Sequence, residues 1–284
     1  MQHPNPTMEL QSPPTAVSIL PPGRPWLMEP AAYMRLSAMA CPGALHPAAS
    51  SAPASAPYCQ REGLATVPVH GTILRRVGGL QRAVFSFFGE EFSESGALAQ
   101  LMASLQADPS VKTVLLDFDS PGGSVNGTPE LAAAVARLSR EKHVYAYTAG
   151  LCCSAAYWVA SQCDAVYAAP SARLGSIGVL LPVTDSTDAY SRNGLKVEVF
   201  SAGRYKAAGL SGTSMTDEQR ELLQRQVETT WADFKAAVNR RRSIDSADME
   251  GQTFSGAEAR AHGLADARAD SLEWLEEKLI QRHG

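Results

Sequence analysis

The stretch Lys112-Thr113-Val114-Leu115-Leu116-Asp117-Phe118, followed by Asp119-Ser120-Pro121-Gly122-Gly123 and then Thr128-Pro129-Glu130, decides how this chain folds. The apolar run is strand-length, and the Ser-Pro-Gly-Gly that closes it predicts a turn. Thr128 suits an N-cap and Pro129 the first helical position, so a helix should follow. Working outward, the same alternation recurs on both sides. Leu64–Ile73 reads as a strand with Val67, Val69 and Ile73 on a period of two, and Ser95–Ala107 reads as a helix closed by Asp108-Pro109. His143–Thr148 reads as a strand, Ser154–Ser161 as a helix and Ala165–Ala168 as a short strand. A helix near Thr184–Arg192 and a strand at Lys196–Phe200 come next. Strand and helix in turn predict an α/β domain with largely parallel pairing.

Beyond Gly212 the pattern becomes helical. Thr216-Asp217-Glu218-Gln219 is a capping box that opens a helix reaching about Arg241, and Ser255-Gly256-Ala257-Glu258 is a second, whose helix Gly263 stops. A last amphipathic helix is expected over Leu272–Ile280. The organisation expected is a Pro/Ala/Ser-rich leader over residues 1–60, an α/β core over 61–212 and a helical C-terminal part over 213–284 that completes it. Twelve of the 18 prolines lie in the leader, which predicts a flexible segment. The piece from Trp26 to Leu36 is the exception, a short amphipathic helix after Pro30 that docks on the core or on a partner.

Composition narrows the chemistry. A formal charge of −4 gives no broad attraction to nucleic acid or anionic lipid. The one dense basic cluster, Arg240-Arg241-Arg242, falls at a helix end, where cations suit the macrodipole. Five cysteines without any C-x-x-C spacing predict neither a zinc site nor dithiol redox chemistry, and they fit a reducing cytoplasm. No apolar run has the length of a membrane span or a signal-peptide core, so a soluble cytoplasmic protein is expected.

Hydrolytic chemistry needs an exposed nucleophile, a base and backbone donors for an oxyanion. Ser154 follows a predicted strand and opens a helix, a place where a plain N-cap is the commoner role. Gly122-Gly123 can bring backbone N–H groups close to a ligand, or can simply make a tight turn. None of the six histidines follows Ser154 in the setting of a Ser-His-Asp site, although His70 and His143 lie in strands. Lys206, in the loop Gly203-Arg204-Tyr205-Lys206-Ala207-Ala208-Gly209, is the other candidate base, provided that burial strips it of water.

Taken in order, several segments resemble the signal peptide peptidase A family of serine–lysine proteases, which includes bacteriophage head-maturation proteases. They are Asp119–Gly123, Ser154–Ser161, Asp164–Pro170, Gly175–Val179, Gly203–Lys206 and Phe254–Asp266, spread over Leu64 to Ala267. The resemblance implies a crotonase- or Clp-protease-like α/β superhelix of repeated strand–helix units with a helical C-terminal part. It makes Ser154 the nucleophile, Lys206 the general base and Ser176 the hydroxyl that orients the lysine. Gly123 and Ala155 become the oxyanion donors, with no metal and no cofactor. Many members carry glycines where this chain has Ala155-Ala156.

The function implied is a serine endopeptidase acting on extended polypeptide. Phage scaffold, portal or capsid proteins are the expected substrates, in a host cytoplasm or a prohead. A homo-oligomeric ring is expected, in which the dyad can be completed across subunits. The alternatives are a soluble peptidase that degrades signal peptides, a non-catalytic assembly scaffold, and an acyl-CoA hydratase or isomerase of the same fold.

Overall fold

A computed structural model of the chain describes residues 58–283 and, before them, 17–18, 25–28, 30, 32–33, 36 and 40–41. Most of the expected leader thus lies outside the described residues. Within it, Val17–Ser18 (β1) pairs antiparallel with Ala40–Cys41 (β3), and Trp26–Met28 (β2) is a buried strand. The described residues of the segment after Pro30 are helical, as their amphipathic pattern predicts.

The body of the molecule is an eight-stranded mixed sheet with a four-stranded sheet beside it. In the large sheet, Leu64–His70 (β5), Thr113–Ser120 (β8) and His143–Cys153 (β10) run parallel at its centre. Cys59–Arg61 (β4) closes one side antiparallel. The far edge of β10 is shared by Ala165–Ala168 (β11), along Tyr145–Thr148, and Arg173–Gly175 (β12), along Leu151–Cys153. Near-continuous apolar sequence makes these strands central, because both faces are covered. Ser95–Ala107 (a helix, α2, after Gly79–Phe88, α1) and Thr128–Leu138 (α3) lie on one face, where Leu101, Met102, Leu105, Leu131 and Val135 meet Val67, Val114 and Leu116. On the other face Leu275 and Leu279 of the C-terminal helix cover Leu64, Leu115, Tyr145 and Tyr147.

Two strands leave the large sheet for the small one. The expected strand Leu64–Ile73 is broken at Gly71, and its continuation Thr72–Leu74 (β6) pairs in the second sheet with Phe92–Glu94 (β7). Likewise β8 ends at Ser120, and Gly122–Ser124 (β9) lies between β6 and β2. The chain therefore changes sheet beside the carboxyl end of β10, where ligands bind in open α/β sheets.

Two expectations need correction. Lys196–Phe200 forms no strand, and all five side chains but Val197 are exposed. Its apolar side chains have no sheet face to meet, and Phe200 is 93% exposed. The part after Gly212 is not wholly helical. Thr253–Ser255 (β13) and Ala267–Arg268 (β14) join the large sheet, the first antiparallel to β12 and the second parallel to β11. The capping boxes stand: Thr216 opens Asp217–Asn239 and Ser255 opens Gly256–Ala259, each with its reciprocal bonds. Helix α1 was not anticipated, although Leu80, Val84 and Phe85 are spaced for one.

Candidate active site

Strand β10 ends at Cys153 and the helix Ala155–Ala160 (α4) begins two residues later, so Ser154 is the hinge between them. Its backbone sits at φ 55° and ψ −115°, outside the regions that L-residues favour. Its side chain makes no capping bond to the helix, so the N-cap reading fails. Instead Ser154 Oγ points to Gly178 O at 3.5 Å, a long contact, and Ser154 N–H donates to Gly175 O at 2.8 Å. A serine held at such φ and ψ costs on the order of 1–3 kcal/mol, and that cost needs a reason.

The surroundings of Ser154 are backbone-rich. A Cβ placed on Gly122 would stand 3.0 Å from Ser154 Cβ and 2.2 Å from Leu27 O, so only glycine lets the two segments meet. Gly123, next along, is fixed between Leu27 and Ile73, and a Cβ there would stand 1.9 Å from Ile73 O. At the start of α4 the N–H groups of Ala155 and Ala156 have no intrahelical acceptor, as in any first turn. Both alanines are fully buried, which leaves room for nothing larger. On the far side Ser176 is 4% exposed, at φ 51°, and its N–H donates to Gln252 O at 2.7 Å. The structure thus brings Ser154, Ser176, Gly122-Gly123 and Ala155 together.

Lys206 is not among them. It is exposed, and its Nζ makes no hydrogen bond or ion pair among the described residues. Its loop turns on itself through Lys206 N–H to Gly203 O at 3.1 Å and is tied to the helix after Thr216 through Gln219 Nε2 to Arg204 O at 3.2 Å. The histidines are engaged elsewhere. His70 Nε2 lies 3.0 Å from Asp117 Oδ2, and that bond chiefly raises its pKa, while His143 stacks on His283 at 3.9 Å.

The cysteines around Ser154 are wall. Cys152, Cys153 and Cys163 are buried; burial pushes the Cys152 thiol well up and that of Cys163 up to about 12. A thiol in such a place does not form the reactive thiolate. We expect a thiol reagent to modify exposed Cys59 rapidly in the native protein and to reach Cys152 and Cys163 only on unfolding. Mass mapping of the labelled sites checks this; rapid native labelling of Cys152 would contradict it.

No group of three or more His, Cys, Asp and Glu side chains among the described residues is arranged to hold a metal ion. Nor is any helix among them long and apolar enough to cross a membrane.

An α/β protein whose strained serine hinges a buried strand to a helix, with a glycine pair against it, is built like a hydrolase. Residues 136–280 match the model of peptidase family S49, and the chain belongs to that family. It is 34% identical over 197 residues to the putative protease MJ0651 of Methanocaldococcus jannaschii, covering 67% of this chain and 63% of that protein. It is 31% identical to the capsid assembly protease C of Escherichia phage lambda, over 76% of this chain and 48% of that one. Identity is again 31% to the head-tail preconnector protein GP5 of Enterobacteria phage P21, over 72% and 40%. The chain thus spans between 40% and 63% of the length of these relatives. Among solved structures it is similar to an enoyl-CoA hydratase of Mycobacterium smegmatis, with a TM-score of 0.43 and 14% identity over 79% of this chain and 74% of that one.

Proposed function

We propose that the chain is a serine endopeptidase that attacks an extended polypeptide with Ser154. The observation that carries this is the backbone of Ser154, held at φ 55° without a structural bond for its hydroxyl. In the reaction, a base takes the Oγ proton while Oγ bonds to the substrate carbonyl carbon. The carbonyl becomes an oxyanion, which N–H groups of the Gly122-Gly123 turn and of Ala155 stabilise. Collapse breaks the peptide C–N bond, and the base returns its proton to the leaving amine. Water then repeats the sequence and frees the acid.

Lys206 is the proposed base and Ser176 the hydroxyl that orients it. A lysine acts as base only when burial disfavours its ammonium form. Lys206 is exposed in the single chain, and its surroundings leave Leu195, Val199, Phe200 and Leu210 exposed as well. A second copy packed over this region would bury both the apolar side chains and the lysine, so the dyad is proposed to form between copies. The similarity to phage proteins named for capsid assembly and head–tail connection supports substrates among head or scaffold proteins.

The test incubates the wild-type chain, Ser154→Ala and Lys206→Ala with an unfolded protein and reads intact mass. Both variants should be silent, and mixing them should restore part of the activity, because each supplies the group the other lacks. Activity surviving in Ser154→Ala would overturn the nucleophile. A silent mixture beside an active wild type would overturn the dyad between copies.

A further inference from the structure

Ser154 is 1% exposed, and a nucleophile in that state reaches no substrate. Beside it, across Gly122, runs the chain's own strand Trp26–Met28. That strand lies antiparallel to Gly122–Ser124 on one edge, with Leu27 opposite Gly123 and Met28 opposite Gly122. On its other edge Trp26 exchanges both backbone bonds with Leu180, N–H to O at 2.8 Å and O to N–H at 3.0 Å. Since Trp26 faces Leu180, strand alternation turns the N–H and C=O of Leu27 the other way, onto Gly123. The Gly123 N–H that would serve an oxyanion therefore faces a peptide carbonyl of this chain. Leu27 O and Ser154 Cβ stand 2.2 Å and 3.0 Å from one point, so they are no farther apart than those distances together.

We propose that Trp26–Met28 stands in for substrate: it fills the peptide-binding groove between Gly122–Ser124 and Leu180, and must leave before a substrate strand enters. The inference rests on the peptidase reading. Main-chain pairing on both edges is how an extended peptide is recognised, with alternate side chains entering pockets. The pockets are visible in what they hold. Leu27 enters the main core, whereas Trp26 and Met28 turn to the opposite side, among Leu74, Val77, Val84 and Phe85. The groove thus takes an extended peptide with large apolar side chains on both faces. The stand-in is held loosely for a core strand. It has three residues, its next ladder bond, Val125 N–H to Pro25 O, is 3.5 Å long, and the buried Trp26 Nε1 finds no acceptor among the described residues. A buried donor without a partner carries a desolvation penalty that leaving the groove relieves.

The test locks the strand in place. Trp26→Cys with Leu180→Cys, in a chain whose Cys41 and Cys59 are serine, joins the strand to its neighbour on mild oxidation. Cleavage of an unfolded protein is measured with Ser154 intact. Binding of a fluorescein-labelled Pro-Trp-Leu-Met-Glu-Pro peptide is measured with Ser154→Ala. The oxidised form should lose at least tenfold in both, and reductant should restore both. Leu27→Asp, which sets a carboxylate in the apolar pocket, should raise peptide binding at least tenfold over the unlocked chain. Equal binding in oxidised and reduced forms would make the strand a permanent wall and overturn the proposal, as would failure of both the reduced form and Leu27→Asp to bind. Peptide binding that follows the lock without cleavage in either form would leave the groove standing and overturn the peptidase reading instead.

Discussion

Ser154→Gly should silence the protein and make it more stable. The loss of activity, about 10⁴-fold or more, follows from removing the proposed nucleophile. The gain follows from the backbone. At φ 55° and ψ −115° a side chain costs on the order of 1–3 kcal/mol, and glycine largely escapes that cost. Glycine in turn loses about 0.5–1 kcal/mol more conformational entropy on folding than alanine. Little else is lost, because among the described residues the serine hydroxyl makes only the 3.5 Å contact to Gly178 O. The net expectation is about 1 kcal/mol of added stability, read in urea as a higher midpoint at unchanged slope. Ser154→Ala keeps a Cβ in the strained position and should be equally silent without the gain. A glycine variant less stable than wild type would mean that the conformation stores no strain, and the case for Ser154 as nucleophile would lose its main physical support.

How much of this was legible beforehand differs from residue to residue. The central strands were, because β8 and β10 are apolar on both faces and bounded by turn residues. So were the capping boxes at Thr216 and Ser255, where local bonds decide the outcome. Lys196–Phe200 has the alternation of a strand, but a strand also needs a partner edge, and pairing is not written in a five-residue pattern. Ser154 and Gly122-Gly123 were found as candidates, yet an N-cap serine and a tight turn have the same local sequence. Only the third dimension, which sets Gly122 against Ser154, separates the readings. Trp26–Met28 was hidden for a different reason. The piece from Trp26 to Leu36 reads as the ordered exception in a proline-rich leader, but as a helix, and a three-residue strand borrows its order from the two edges that hold it. Arg240-Arg241-Arg242 shows the limit most sharply, since Arg241 and Arg242, identical neighbours, have different fates.

Arg242→Ala should destabilise the fold by about 3 kcal/mol, whereas Arg241→Ala should cost under about 1 kcal/mol. Arg242 is 8% exposed and reaches in three directions at once. Its Nε donates to Ser161 O at 3.4 Å, its Nη2 to Cys163 O at 2.8 Å, and its Nη1 to the Asp266 carboxylate. The same Asp266 oxygen accepts the Val166 N–H at 2.7 Å, so the guanidinium ties the end of the Ser154 helix to β11 and to the turn before β14. Removing it strands two buried carbonyls and leaves Asp266 without its cation. The Asp266 side chain is 44% exposed, and the water it retains holds the loss to the lower end of what breaking a buried pair costs. Arg241 pairs with Asp164 at 3.1 Å, but both side chains are more than a quarter exposed, which keeps that pair weak. Arg242→Lys should recover little, since an ammonium cannot serve two carbonyls and a carboxylate from one planar fork. Urea unfolding of the three variants checks this. Equal losses for Arg241→Ala and Arg242→Ala would mean that the cluster acts only as charge at a helix end, and the clamp beneath the Ser154 helix would have to be abandoned.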